Sequence, residues 1–171
     1  MRIRIGQIPE QGDAVVLSKS ERWAVDAASQ ALEGEVLALS GTLELELHGD
    51  TLFVRGEMKV RGRRHCDRCG AFLILEIEGP VDLAYRPEIQ SSEAVRELSN
   101  AEMDVGFYTG GSFELADAVC EHLALKLPFQ VHCAMSAVSP GKECEDIFSE
   151  DSKEEQVDPR FAILKELKFD N

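Results

Sequence analysis

Residues 37–62, LALSGTLELELHGDTLFVRGEMKVRG, decide the fold. The odd positions from 37 to 47 are Leu37, Leu39, Gly41, Leu43, Leu45 and Leu47, and between them fall Ser40, Thr42, Glu44 and Glu46. A period of two belongs to a strand with one face in the core and one in water. Gly49-Asp50 makes a two-residue hairpin turn. Beyond it the inward set is Leu52, Val54, Gly56, Met58, Val60 and Gly62, and the outward set is Phe53, Arg55, Glu57, Lys59 and Arg61. This turn places Leu47 opposite Leu52, Leu45 opposite Val54, Leu43 opposite Gly56 and Gly41 opposite Met58. Glu44 then faces Arg55 on the wet side, a favourable cross-strand pair. A one-residue slip puts the leucines in water.

A third strand is expected from 71 to 86, with Leu73, Leu75, Ile77, Val81, Leu83 and Tyr85 inward. Gly79-Pro80 suggests a bend or bulge at an edge. Short extended pieces are expected at 1–8, 13–17 and 103–108. Ser18 with Glu21 has the form of a capping box for a helix over about 19–32, with Gly34 as its stop. Trp23, Ala27, Ala28, Ala31 and Leu32 give that helix a buried stripe. Ser112 is the expected N-cap of a second helix running to Leu127, striped by Leu115, Val119, Cys120, Leu123 and Leu127. The expected class is α+β: an antiparallel β-meander of three long strands plus short strands, packed on one face by helices.

The chain has 171 residues, 44% of them hydrophobic. That composition suits one α+β domain over 1–142. Residues 87–101 read as a polar surface loop. Residues 143–158 carry eight acids and one lysine and read as an acidic mobile segment. Asp158-Pro159 then opens a C-terminal helix over 159–168. No apolar run is long enough to span a bilayer, and the alternating charged N-terminus is no signal peptide, so a cytoplasmic location without membrane contact is expected. The net charge of −14 repels nucleic acid as a whole, so RNA contact requires a local basic patch.

Cys66-Asp67-Arg68-Cys69-Gly70 joins the second and third strands. Two thiolates at this spacing on a tight turn can address one ion, and a closed zinc site needs two more ligands. Cys133 and Cys144 are the candidates, with His132 and His65 in reserve. The competing reading is a set of reduced cytosolic thiols. A redox role is disfavoured, because the pair lies between antiparallel strands and not at a helix N-terminus. Residues 55–68 hold Arg55, Lys59, Arg61, Arg63, Arg64 and Arg68 against Glu57 and Asp67, a local charge of +4. Arg55, Lys59, Arg61 and Arg63 share strand parity and form a stripe suited to phosphates. The alternative is a solvated face balanced by Glu44 and Glu76. No phosphate-cradling loop, dinucleotide fingerprint, nucleophile elbow or zinc-protease motif is present. His48 and His122 read as surface residues, Cys120 as a core thiol, and Phe107 and Tyr108 as core aromatics. No catalytic residues and no small-molecule substrate are expected.

Three stretches in order carry a family resemblance: the Cys66–Gly70 turn after alternating strands, Leu123-Ala124-Leu125-Lys126-Leu127-Pro128 with nearby His132-Cys133, and the closing run from Asp158 to Leu167. Together they resemble the YceD family of large-subunit ribosomal RNA accumulation proteins. The resemblance implies a non-enzymatic role in accumulation or processing of that RNA and in ribosome biogenesis. It also implies a precursor RNA, a ribosomal protein or both as partners. Cys66, Arg68 and Cys69 match the family's Cys-x-Arg-Cys element, and Cys133 and Cys144 match the cysteines that follow. Where many members carry a second Cys-x-x-Cys, this chain has Cys144 alone. A protein-interaction module without RNA contact, using the acidic surface, is the alternative function.

Overall fold

The computed structural model describes residues 1–88, 104–142 and 144. In chain order these form β1 (Arg2–Arg4), β2 (Asp13–Ser18), α1 (Arg22–Leu32), β3 (Glu35–His48), β4 (Thr51–His65), β5 (Phe72–Pro87), β6 (Val105–Tyr108), β7 (Ser112–Glu114) and α2 (Leu115–Lys126). Short 3-10 turns lie at Ile5–Gln7 and Cys133–Met135. Five strands make one sheet in the order β2-β3-β4-β5-β6, antiparallel except for β6, which runs parallel to β5. β1 and β7 form a separate antiparallel pair. The helices pack on each other and on the apolar face of the sheet. The class is the α+β meander that the alternation requires. The acidic segment 143–158, the helix 159–168 and the loop over 87–101 lie outside the described residues, apart from Pro87, Glu88 and Cys144. No helix among the described residues is long and apolar enough to cross a membrane.

The β3–β4 pairing has the expected register throughout the hairpin, from Leu47 opposite Leu52 to Gly41 opposite Met58. Leu43, Leu45, Leu52, Val54 and Val60 are almost wholly buried beneath the helices. The start of β3 departs from the simple period. A register shift between Val36 and Ala38 brings Val36 into the core and leaves Leu37 partly exposed. One extra residue in a strand reverses side-chain parity on either side of it. β5 passes Gly79-Pro80 without a register break, with Pro80 opposite Glu57. The proline costs no sheet hydrogen bond, because β6 pairs only with residues 84–87. Gly62 sets how closely α1 approaches: a Cβ there would stand 2.6 Å from Leu32 Cδ1.

Both helix starts differ from expectation, for the same reason. Ser18 is the last rung of β2, opposite Ser40, and its hydroxyl bonds Ser20 Oγ at 2.6 Å. The Glu21 carboxylate accepts the Trp23 indole N–H at 3.2 Å, so no capping box forms. The helix begins at Arg22, with the N–H groups of Ala24 and Val25 donating to the Glu21 carbonyl. It ends with Glu33, not Gly34, in the left-handed conformation at φ 51°. Ser112 likewise belongs to β7, where it pairs with Arg4 and accepts from the Arg2 guanidinium at 2.7 Å, and α2 starts at Leu115. Strand pairing took both serines before they could cap. β1 itself spans only Arg2–Arg4, because the chain then winds into a 3-10 turn.

α2 buries Leu115, Ala118, Val119, His122 and Leu123, a regular stripe rotated from the one read through Cys120. Cys120 is therefore half-buried, and His122 is a core residue at 5% exposure rather than a surface one. Tyr108 is buried, with its hydroxyl donating to the Asp50 carbonyl at 2.9 Å, whereas Phe107 is turned outward.

Two predictions follow from this packing. Gly62→Val drives a side chain into Leu32 and should cost about 1–3 kcal/mol, read as a lower urea midpoint at unchanged slope; an unchanged midpoint contradicts the close approach. Burial first, and Lys126 second, hold His122 below its ordinary 6.5. The unfolded chain then binds a proton that the folded chain resists. The stability this contributes is whole above about pH 6.5 and is lost as pH falls through the depressed folded value. Denaturant unfolding across mildly acidic pH should therefore show a steeper loss of stability in the wild type than in His122→Leu.

Candidate functional site

β4 and β5 pair until His65 meets Phe72, which leaves residues 66–71 to turn the chain. The Cys66 N–H donates to the Ala71 carbonyl at 2.8 Å, and the Gly70 N–H donates to the Cys66 carbonyl at 2.9 Å. Gly70 sits at φ 70°, which a residue without Cβ takes freely. His65 Nδ1–H donates to the Gly70 carbonyl at 2.7 Å and braces the turn.

The second wall of the site comes from residues 131–144. The Asp67 N–H donates to the Val131 carbonyl at 2.9 Å, and Asp67 Oδ2 accepts the Val131 N–H at 2.6 Å. The Ala137 N–H donates to the Ile74 carbonyl at 2.7 Å. This seam brings Cys133 Sγ to 3.3 Å from Cys69 Sγ, and Cys144 Sγ stands 3.5 Å from Cys66 Sγ. All four sulfurs lie within 4.8 Å of one another. A disulfide requires about 2.05 Å between sulfurs. Tetrahedral zinc with bonds of about 2.3 Å sets sulfur–sulfur edges of roughly 3.8 Å. The observed spacing suits the second arrangement. His65 and His132 stand outside the cluster, and His132 Nδ1 is buried without a hydrogen-bond partner among the described residues.

The thiols beside one another titrate as a group. Burial pushes the Cys66 thiol up, but the N–H groups of Cys69 and Arg68, with the sulfurs of Cys144 and Cys69, outweigh it and bring it down to about 6. Cys133 is pushed up to about 12, first by its contact with Cys69 and then by burial. The Cys66 proton leaves easily while those of Cys133 and Cys144 are held, because thiolates packed this closely repel. A dication among them removes that repulsion. Beneath the sulfurs lies a small apolar cluster of Cys66, Leu73, Leu75 and Val131, distinct from the main core. The Val131 N–H, and then Arg64, hold the Asp67 carboxyl below the usual carboxylate range.

The strand cations lie where alternation puts them. Arg55, Lys59, Arg61 and Arg63 are exposed on the face of β4 away from the helices. Carboxylates on both neighbouring strands meet them. Arg55 faces Asp82 at 3.1 Å and Glu46 at 3.6 Å, Lys59 lies between Glu76 and Glu78, and Arg63 pairs with Glu35. Arg61 is opposite Glu76 in the register. Of the balancing acids expected from the sequence, Glu76 takes part, and Glu46 with Asp82 stands in for Glu44. Arg64 points elsewhere: its side chain is 12% exposed, donates to Asp67 at 2.7 Å and faces Glu33 at 3.6 Å. Arg68 is exposed within the turn. Sequence reasoning passed over Asp67 as the latch and Phe72 as an exposed ring. The signal for Phe72 was its even parity, opposite to the inward Leu73 and Leu75.

The family model described as "Large ribosomal RNA subunit accumulation protein YceD" matches residues 54–168, about two thirds of the chain. Comparison with curated proteins and with solved structures finds no match.

Asp67→Ala removes the acceptor for the Val131 N–H and the nearer of the two carboxylates facing Arg64. The Val131 amide should then exchange with solvent faster than in the wild type while amides in β3 keep their protection. Equal protection of Val131 in both proteins contradicts the latch.

Proposed function

The chain belongs to the YceD family, and from that premise we propose that it is a non-enzymatic factor in large-subunit ribosomal RNA accumulation whose hairpin tip contacts the precursor RNA. The observation that carries this reading is where the family match falls. It starts on β4 and contains Cys66, Cys69, Cys133 and Cys144, so the part shared with an RNA accumulation family includes every residue that builds the tip. The four cysteines hold one zinc ion as a closed structural site, with no coordination position left for a reacting water. The ion's role is to fix residues 131–144 against a tip that has only a small apolar cluster of its own. Arg61, Arg63 and Arg68 sit nearest this fixed end and meet phosphates. Arg55 and Lys59 extend the same track, and Arg64 braces the tip from within.

One observation favours a second reading. The cations of β4 are matched by carboxylates on β3 and β5, and the whole chain carries −14. Such a surface suits a basic ribosomal protein, with no direct RNA contact.

Binding of purified protein to large-subunit precursor RNA fragments over a salt series separates the two. Under the first reading Arg61→Ala/Arg63→Ala weakens binding and lowers the slope of log affinity against log salt by about one to two. Cys66→Ser/Cys69→Ser should lose zinc and fail to restore ribosomal RNA levels in cells lacking the protein. Wild-type protein that ignores RNA but binds a basic ribosomal protein supports the second reading and overturns the first.

A further inference from the structure

We infer that Phe72, held by His65 and Arg63, is a stacking platform for an unpaired RNA base. This deepens the RNA reading above and rests on it. A lone exposed phenylalanine is ordinary, but this one is supported. The residue is 65% exposed. The His65 ring lies 4.1 Å from it, centroid to centroid, at an interplanar angle of 35°. The Arg63 guanidinium stands 5.1 Å from its centroid. His65 is in turn tied to the Gly70 carbonyl, so the support is anchored in the cysteine turn itself. A ring held this way presents a surface already in place, which lowers the ordering cost of a ligand that stacks on it.

The chemistry of the neighbours selects the ligand. The β4–β5 register puts His65 opposite Phe72, Arg63 opposite Ile74 and Arg61 opposite Glu76, all on the face away from the helices. A ring at the tip with Arg63 and Arg61 following along the strand fits a nucleotide whose base stacks while its phosphates run past the guanidiniums. An apolar protein segment on the same ring would take the neighbouring Arg63–Glu35 ion pair out of water, a desolvation cost with no new partner to offset it. Bases inside a duplex are already stacked on their neighbours, so the ligand is single-stranded. Stacking alone reads no sequence, so binding here is tolerant of base identity.

The test uses the zinc-loaded full chain with two probes: a short oligoadenylate single strand and a blunt-ended RNA duplex. Phe72→Ala should weaken single-strand binding about tenfold, the range of one lost base–aromatic stack, and leave duplex binding unchanged. Phe72→Tyr should bind as the wild type does. Phe72→Leu, which keeps apolar cover but lacks a π-face, should behave like the alanine variant. Phe72→Ala or Phe72→Leu binding as tightly as the wild type overturns the platform. If Arg61→Ala/Arg63→Ala weakens binding while Phe72→Ala does not, the platform alone falls and the RNA reading stands. If the wild type binds neither probe nor precursor fragments, both fall.

Discussion

The pairing of β4 with β5 out to the His65–Phe72 rung is the constraint on which the rest depends. Because the two strands stay in register to the end, six residues must reverse the chain. They do so around Gly70, and the turn brings the sulfurs of Cys66 and Cys69 into one cluster. The same register separates two faces. One carries Leu73 and Leu75 under the sulfurs, and the other carries His65, Phe72 and the arginines. A one-residue slip in this pair would exchange those faces.

The described residues form two apolar clusters of very different size. The larger lies between the sheet and the helices and includes Leu43, Leu45, Val54, Leu115 and Leu123. The smaller, at the tip, offers Leu73, Leu75 and Val131. Burial of a few aliphatic side chains, at about 1.5–3 kcal/mol each, is a slender basis for ordering a segment that arrives from beyond α2. The Asp67–Val131 latch adds hydrogen bonds to that seam, and a metal held by both walls, as proposed, would add a cross-link. This division of labour explains why the cysteines converge at the tip and not in the main core.

Much of the fold was legible in the sequence because alternation is a local signal. Leu43, Leu45, Val54 and Met58 declared both the face and the register, and the hairpin formed as the pattern required. The reversal of parity at Val36 was hidden, since a bulge leaves no mark in the pattern until the partner strand is known. Ser18 and Ser112 looked like caps and became strand residues, because their pairing partners, Ser40 and Arg4, lie far away in sequence. The cysteines were legible as ligand types. Their meeting was not, since Cys69 and Cys133 are 64 positions apart and Cys66 and Cys144 are 78 apart. Only the fold supplies that geometry. The parity of Phe72 marked it as outward, but its contacts with His65 and Arg63 depend on the β4–β5 register and were not legible.

X-ray absorption at the zinc edge, on protein purified without added metal, tests the central claim most directly. The account predicts one zinc per chain in a shell of four sulfurs at about 2.3 Å. Absence of zinc, or a shell containing nitrogen from His65 or His132 in place of a cysteine, contradicts it.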